Sequence, residues 1–153
     1  PSTPAAPVTA TSIVPAQPVV VGSGKTVVAA LITREPDGEV LLSLRRPDQA
    51  MPLLWELPGG KIEPGESPEQ ALQREVREEL DVEVSVGGIF DVVSFRYPDF
   101  DLLMLVYRCQ LLGQPRAKEV ADVRFVPRQE LLARPVLLAD IPLLTRLAAD
   151  AHE

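Results

Sequence analysis

The chain has 153 residues, 46% of them hydrophobic, enough for one domain with a real core and too few for two. Its formal net charge of −7 and pI near 4.8 argue against a protein that covers a phosphate backbone, so no nucleic acid polymer is an expected partner. A single cysteine, Cys109, excludes an internal disulfide and a thiolate metal site and fits a reducing, cytoplasmic setting.

Residues 1–18 carry five prolines among Ala, Thr, Ser and Val, with no charge and no aromatic ring to anchor a fold. They read as a flexible Pro/Ala-rich arm, taken as residues 1–24, ahead of a domain over 25–153. The start lacks the basic stretch of a signal peptide, and no apolar run approaches the roughly 20 residues that span a bilayer, so a soluble protein is expected. Gly22-Ser23-Gly24-Lys25-Thr26 ends like a phosphate-binding P-loop, but Val19 stands where that motif needs its first glycine, and the segment reads as a turn entering a strand.

Residues 27–33 are apolar and rich in β-branched side chains, a buried strand. Glu35-Pro36-Asp37-Gly38 makes a hairpin turn, and residues 40–44 return as its antiparallel partner. Arg45 and Arg46 close that strand, as a solvated edge or as guanidinium groups reaching for phosphate. Trp55, the only tryptophan, reads as a core or rim anchor. Pro58-Gly59-Gly60 follows as a turn whose carbonyls can approach a ligand closely, and Lys61-Ile62 begins a short strand.

Ser67 is a natural N-cap, Pro68 suits the first helical position, and Gln70 completes a capping box, so a helix is predicted over residues 68–80. On it Leu72, Val76 and Leu80 form an apolar stripe, and Glu75, Glu78 and Glu79 share the adjacent face. Like charges at this spacing repel by roughly 0.2–0.5 kcal/mol, and acids in a last helical turn oppose the macrodipole. A divalent cation turns that liability into a site.

Strands follow over residues 82–86 and 89–95, separated by a break at Gly87-Gly88, then a long strand over 102–111 and another over 120–126. Cys109 lies inside the 102–111 run and is read as structural. A short helix over 127–133 and an amphipathic helix over 141–151, capped by Asp140, complete the chain. The only histidine, His152, stands at the extreme end, which sets aside Ser/His and Cys/His catalysis.

The stretch from Gly60 to Val82 resembles the Nudix hydrolase signature G-x5-E-x7-R-E-U-x-E-E-x-G-U, where U is a bulky apolar residue. Gly60, Glu66, Arg74, Glu75, Val76, Glu78, Glu79 and Val82 stand at the required spacings, and Asp81 is the one departure, where the pattern has Gly. The resemblance implies an α/β/α sandwich with a central mixed sheet and hydrolysis of a nucleoside diphosphate linked to another group, with Mg²⁺ or Mn²⁺. It implies Glu75, Glu78, Glu79 and the Gly59 carbonyl as metal ligands, with Glu66 and Arg74 bracing the loop and helix. The flanks look most like the MutT branch, which cleaves nucleoside triphosphates to monophosphate and pyrophosphate and includes enzymes that remove oxidised or non-standard nucleotides.

By the same resemblance Arg46 contacts a substrate phosphate, Glu119 is a late loop-borne metal ligand, and Asp140 stands where that branch reads the base with Asn; Lys61 is a further candidate substrate-binding residue. The alternatives are a hydrolase of dinucleoside polyphosphates or nucleotide sugars and a non-catalytic Nudix-fold binding module, as monomer or homodimer. If the helix ends with Asp81 left-handed, Asp81→Gly is expected to raise the melting temperature with little effect on chemistry, unless Asp81 makes a hydrogen bond that offsets the strain.

Overall fold

The computed structural model describes residues 24–150; residues 1–23 and the end of the chain with His152 lie outside them, and Gly24, expected in the arm, opens the first strand. The elements in chain order are β1 (Gly24–Arg34), β2 (Glu39–Leu44), β3 (Trp55–Glu56), β4 (Gly59–Lys61), α1 (Pro68–Leu80), β5 (Val84–Arg96), β6 (Asp101–Leu111), β7 (Asp122–Val126) and α2 (Ile141–Ala149). Single 3-10 turns at Arg128–Glu130 and Leu138–Asp140 precede α2.

One mixed sheet runs β3-β2-β1-β6-β5, with β4 added to β1 and β7 to β2. The β1–β6 pair is parallel, from Gly24 opposite Asp101 to Ile32 opposite Cys109, and the other pairs are antiparallel. Alternation along β1 explains its unbroken apolar sequence, since both faces are covered. Val28, Ala30 and Ile32 pack with Leu72, Val76 and Leu80 of α1. Ala29 and Leu31 pack with Leu143, Leu144 and Leu147 of α2. The result is the expected α/β/α sandwich, and no helix among the described residues is long and apolar enough to cross a membrane.

Several boundaries differ from the sequence reading. Gly87-Gly88 does not break a strand: β5 runs continuously from Val84 to Arg96, with register shifts between Val86 and Ile89 and between Ile89 and Asp91. The two glycines absorb a bulge, and at Gly87 a Cβ would stand 3.0 Å from the Arg108 carbonyl oxygen. Gly59 and Gly60 belong to strand β4, paired with Ala29 and Val28 of β1, not to a free turn. The last strand starts at Asp122, and the helix expected over 127–133 is one 3-10 turn. Asp140 does not cap α2 with its side chain; its own backbone is already helical, and its carboxylate is used elsewhere. Cys109 is half-buried, and burial pushes its thiol up to about 12.

Candidate active site

Local chemistry fixes the start of α1. Ser67 Oγ accepts from the Gln70 N–H at 3.1 Å, and Gln70 Oε1 accepts from the Ser67 N–H at 2.9 Å, the reciprocal box its sequence predicts. Burial of Ala71, Leu72, Val76 and Leu80 against the sheet then sets the helix rotation. Arg74 ties the loop to the helix: its Nε donates to Glu66 Oε2 at 2.6 Å and its Nη2 to Glu66 Oε1 at 3.0 Å and to the Lys61 carbonyl at 2.9 Å. Its Nη1 reaches Glu75 at 3.3 Å and Glu78 at 3.2 Å. Glu66 also accepts the Glu63 N–H at 2.9 Å, so loop and helix form one hydrogen-bonded unit.

Beside this unit, between the sheet and the segment entering α2, lies a cavity of about 520 Å³. Its lining includes Gly59, Gly60, Lys61, Glu75 and Glu79 and also Leu57, Leu102, Met104, Leu137 and Asp140. The glycines of β4 make room beside the carboxylates. A Cβ on Gly60 would collide with the Glu75 carboxylate, and one on Gly59 with the Val28 carbonyl oxygen. At the aromatic wall Phe100 stacks on Tyr97 with centroids 4.9 Å apart, and Lys25 Nζ lies 4.1 Å from the Phe100 centroid. The Tyr97 hydroxyl accepts the Ala139 N–H at 3.1 Å, which joins that wall to the turn carrying Asp140.

Burial and mutual repulsion dominate the electrostatics. Burial first, then the charges of Glu56 and Glu75, pushes Glu79 well above the usual carboxylate range. Burial also raises Glu75 and Glu56 despite Arg74 and Arg45 beside them. Asp140 is pushed up to about 7 by burial, with Glu56 adding to the shift and the Leu57 N–H opposing it. Glu66 moves the other way, held low by the hydrogen bonds from Arg74.

The residues singled out in the sequence divide accordingly. Gly59, Lys61, Glu75, Glu79 and Asp140 line the cavity, and Glu66 and Arg74 brace its rim. Glu78 is exposed on the rim beside Arg74. Arg46 is not among the residues lining the cavity; it pairs with Asp48 at 3.0 Å and donates to the Glu119 carbonyl at 3.1 Å. Glu119 is exposed, and its N–H donates to the Glu79 carbonyl at 3.1 Å. It is Arg45 that lines the cavity, donating from Nη1 to Glu56 at 3.0 Å and from Nε to the Ala50 and Met51 carbonyls. Arg45 was read together with Arg46, as a solvated edge or a phosphate contact, whereas Lys25 and Glu56 were not singled out. Only Glu56 left a signal, a lone acid between Trp55 and Leu57.

As the side chains stand, no three His, Cys, Asp or Glu groups among the described residues are gathered closely enough to hold an ion. Arg74 is drawn between Glu75 and Glu78, and Glu79 accepts the Gly59 N–H at 3.4 Å. The donor chemistry nevertheless fits a hard divalent cation. Every candidate ligand is an oxygen, and the part-buried carboxylate of Glu79 is repelled by that of Glu75, an arrangement that a cation relieves.

A mixed sheet between two helices, opening a cavity beside an acid-bearing loop and helix, defines a Nudix domain. The chain belongs to this family: the NUDIX domain model matches residues 24–147. It is 37% identical over 135 residues to a CTP pyrophosphohydrolase of Escherichia coli strain K12, covering 80% of this chain and 90% of the relative. It is 32% identical over 126 residues to an 8-oxo-dGTP diphosphatase of Haemophilus influenzae, covering 82% and 93%. A crystal structure of a MutT NUDIX hydrolase from Burkholderia pseudomallei superposes with a TM-score of 0.71 at 26% identity, covering 80% of this chain and 96% of that one. Within the family the chain is a Nudix hydrolase of the MutT branch.

Proposed function

We propose that this protein is a metal-dependent nucleoside triphosphate pyrophosphohydrolase, releasing a nucleoside monophosphate and pyrophosphate. The observation that carries the reading is one cavity whose lining combines the apolar side chains of Leu57, Leu102, Met104 and Leu137 with the carboxylates of Glu75 and Glu79. Its volume lies in the range of small-molecule sites. Relatives named for CTP and 8-oxo-dGTP support the same substrate class.

Glu75, Glu78, Glu79, the Gly59 carbonyl and Glu119 are the residues that would hold Mg²⁺ or Mn²⁺. When bound, the ion supplies charge neutralisation at phosphate oxygens and lowers the pKa of a coordinated water. Glu66 and Arg74 keep loop and helix in register, so that the carboxylates stay aligned. Lys61 in the cavity lining and Arg46 beside the Glu119 carbonyl are the cations assigned to phosphate. A glutamate of the helix positions the attacking water or takes its proton. Asp140, with one oxygen held by Leu57, offers the other to the base. It accepts a hydrogen bond when ionised and donates one when protonated, and with its carboxyl near neutrality both forms are within reach.

Phosphorus NMR of reactions with a panel of ordinary, oxidised and methylated nucleoside triphosphates, dinucleoside polyphosphates and nucleotide sugars tests the reading. Pyrophosphate release from single nucleoside triphosphates with Mg²⁺ or Mn²⁺ is expected. Turnover confined to the dinucleotides or sugars, or none at all, refutes it.

A further inference from the structure

The terminal carbonyls of a helix have no partners within it, and in the Nudix signature a glycine turns the chain away at that point. Here Asp81 occupies the position in the left-handed region, at φ 53° and ψ 45°. Unlike glycine, it brings a carboxylate, and Oδ2 accepts from Arg116 Nε at 2.7 Å. Arg116 belongs to the 112–121 segment, which docks by its backbone onto the end of α1. The Arg116 N–H donates to the Leu80 carbonyl at 2.9 Å, and the N–H groups of Lys118 and Glu119 both donate to the Glu79 carbonyl, at 2.9 and 3.1 Å. From the other side, Arg46 Nη1 donates to the Glu119 carbonyl at 3.1 Å, and the Ala121 N–H donates to the Leu44 carbonyl at 2.8 Å.

We propose that Asp81 and Arg116 are a positioning pair that fastens the 112–121 segment to the end of α1 and so holds Glu119 beside Glu79. Residue 119 is reached through the Glu79 carbonyl itself, so the two glutamates share one hydrogen-bonded frame. The ion pair is exposed, with side-chain accessibilities of 66% for Arg116 and 43% for Asp81. Its effect therefore falls on the placement of the segment more than on global stability. The departure from the signature at Asp81 is compensated by Arg116. This inference rests on the reading of Glu119 as a metal ligand.

The test measures Mn²⁺ binding to the whole chain without turnover, from the electron paramagnetic resonance signal of free Mn²⁺, and separately the Mg²⁺ concentration giving half-maximal activity. Asp81→Asn keeps a residue that tolerates the left-handed backbone and removes the charge; Arg116→Ala removes the other partner. Each is expected to weaken Mn²⁺ binding about two- to fivefold, the range an exposed ion pair can supply, with the double variant no worse than either. The loss appears in the half-saturating Mg²⁺ concentration, is reduced by Arg116→Lys, and shrinks in 1 M salt as the parent's ion pair is screened. Glu119→Gln separates the two readings. If it weakens Mn²⁺ binding while Asp81→Asn and Arg116→Ala bind as the parent does, the positioning pair is refuted and the ligand stands. If Glu119→Gln itself binds as the parent does, the ligand reading fails, and the inference fails with it.

Discussion

Leu57 and Asp140 are 83 residues apart in sequence, and the Leu57 N–H donates to Asp140 Oδ2 over 2.9 Å in the interior. The bond joins the strand segment before the glycines to the turn before α2, and both residues line the cavity. Only 1% of Asp140 is exposed, and burial sets its protonation at pH values where other carboxylates are ionised.

A pH dependence follows. Folding raises the Asp140 pKa from 3.8 to about 7, so between those values the folded state binds a proton that the unfolded state has lost. Stability from this residue is therefore greatest below about pH 4, falls as pH rises, and levels off above about pH 7. The shift corresponds to at most about 4 kcal/mol. Asp140→Asn preserves an acceptor for Leu57 and removes the titration, so its melting temperature relative to the parent is expected to be higher at pH 8 than at pH 5.5. Parallel thermal scans at the two pH values check this; an equal difference at both refutes the assignment.

Glu79 carries a penalty of the same kind, and a cation is the group that relieves it. Without divalent metal, Glu79→Gln is expected to melt at or above the parent temperature. With millimolar Mg²⁺ the parent gains stability, the variant gains less, and turnover of the variant falls by at least about tenfold. Scanning fluorimetry with and without Mg²⁺, alongside an assay of phosphate products, reads both halves.

Arg74 is valuable here for its shape. Its guanidinium meets both Glu66 oxygens and the Lys61 carbonyl at once, which a single ammonium cannot do. Arg74→Lys keeps the charge and loses the fork. Turnover is expected to fall by at least about tenfold with the melting temperature little changed, because the geometry of the loop is lost before the core is. Activity close to the parent's would mean that charge alone braces the loop.

Asp81 sets two small terms against each other. Its left-handed backbone costs on the order of 1 kcal/mol relative to glycine, while the exposed pair with Arg116 returns about 0.2–1 kcal/mol. Asp81→Gly is thus expected to change the melting temperature little at low salt and to raise it by about 2–4 °C in 1 M salt, where the pair is screened. Melting curves at two salt concentrations check the balance; a fall at high salt would rule out relief of backbone strain.

Much of the frame was legible because local rules decide it. Ser67, Pro68 and Gln70 specify where α1 begins, and the apolar spacing of Leu72, Val76 and Leu80 specifies its buried face. The two-sided burial of β1 is visible in its unbroken apolar run. Local rules misread Gly87-Gly88 and Asp140. Glycines can end a strand or absorb a bulge, and an acid before a helix can cap it or turn inward; neither choice is made within a few residues of chain.

The sequence by itself determined the helix, its capping box, the spacing of Glu66, Arg74, Glu75, Glu78 and Glu79, and through them the family. Those are short-range patterns, written in one stretch of 23 residues. Only the tertiary structure decided that Arg45 rather than Arg46 lines the cavity, that Asp140 reaches Leu57, and that Arg116 answers Asp81. Each of these depends on which side chains the packing of two helices on a twisted sheet brings together, and contacts between residues 35 to 83 positions apart leave no periodicity to read.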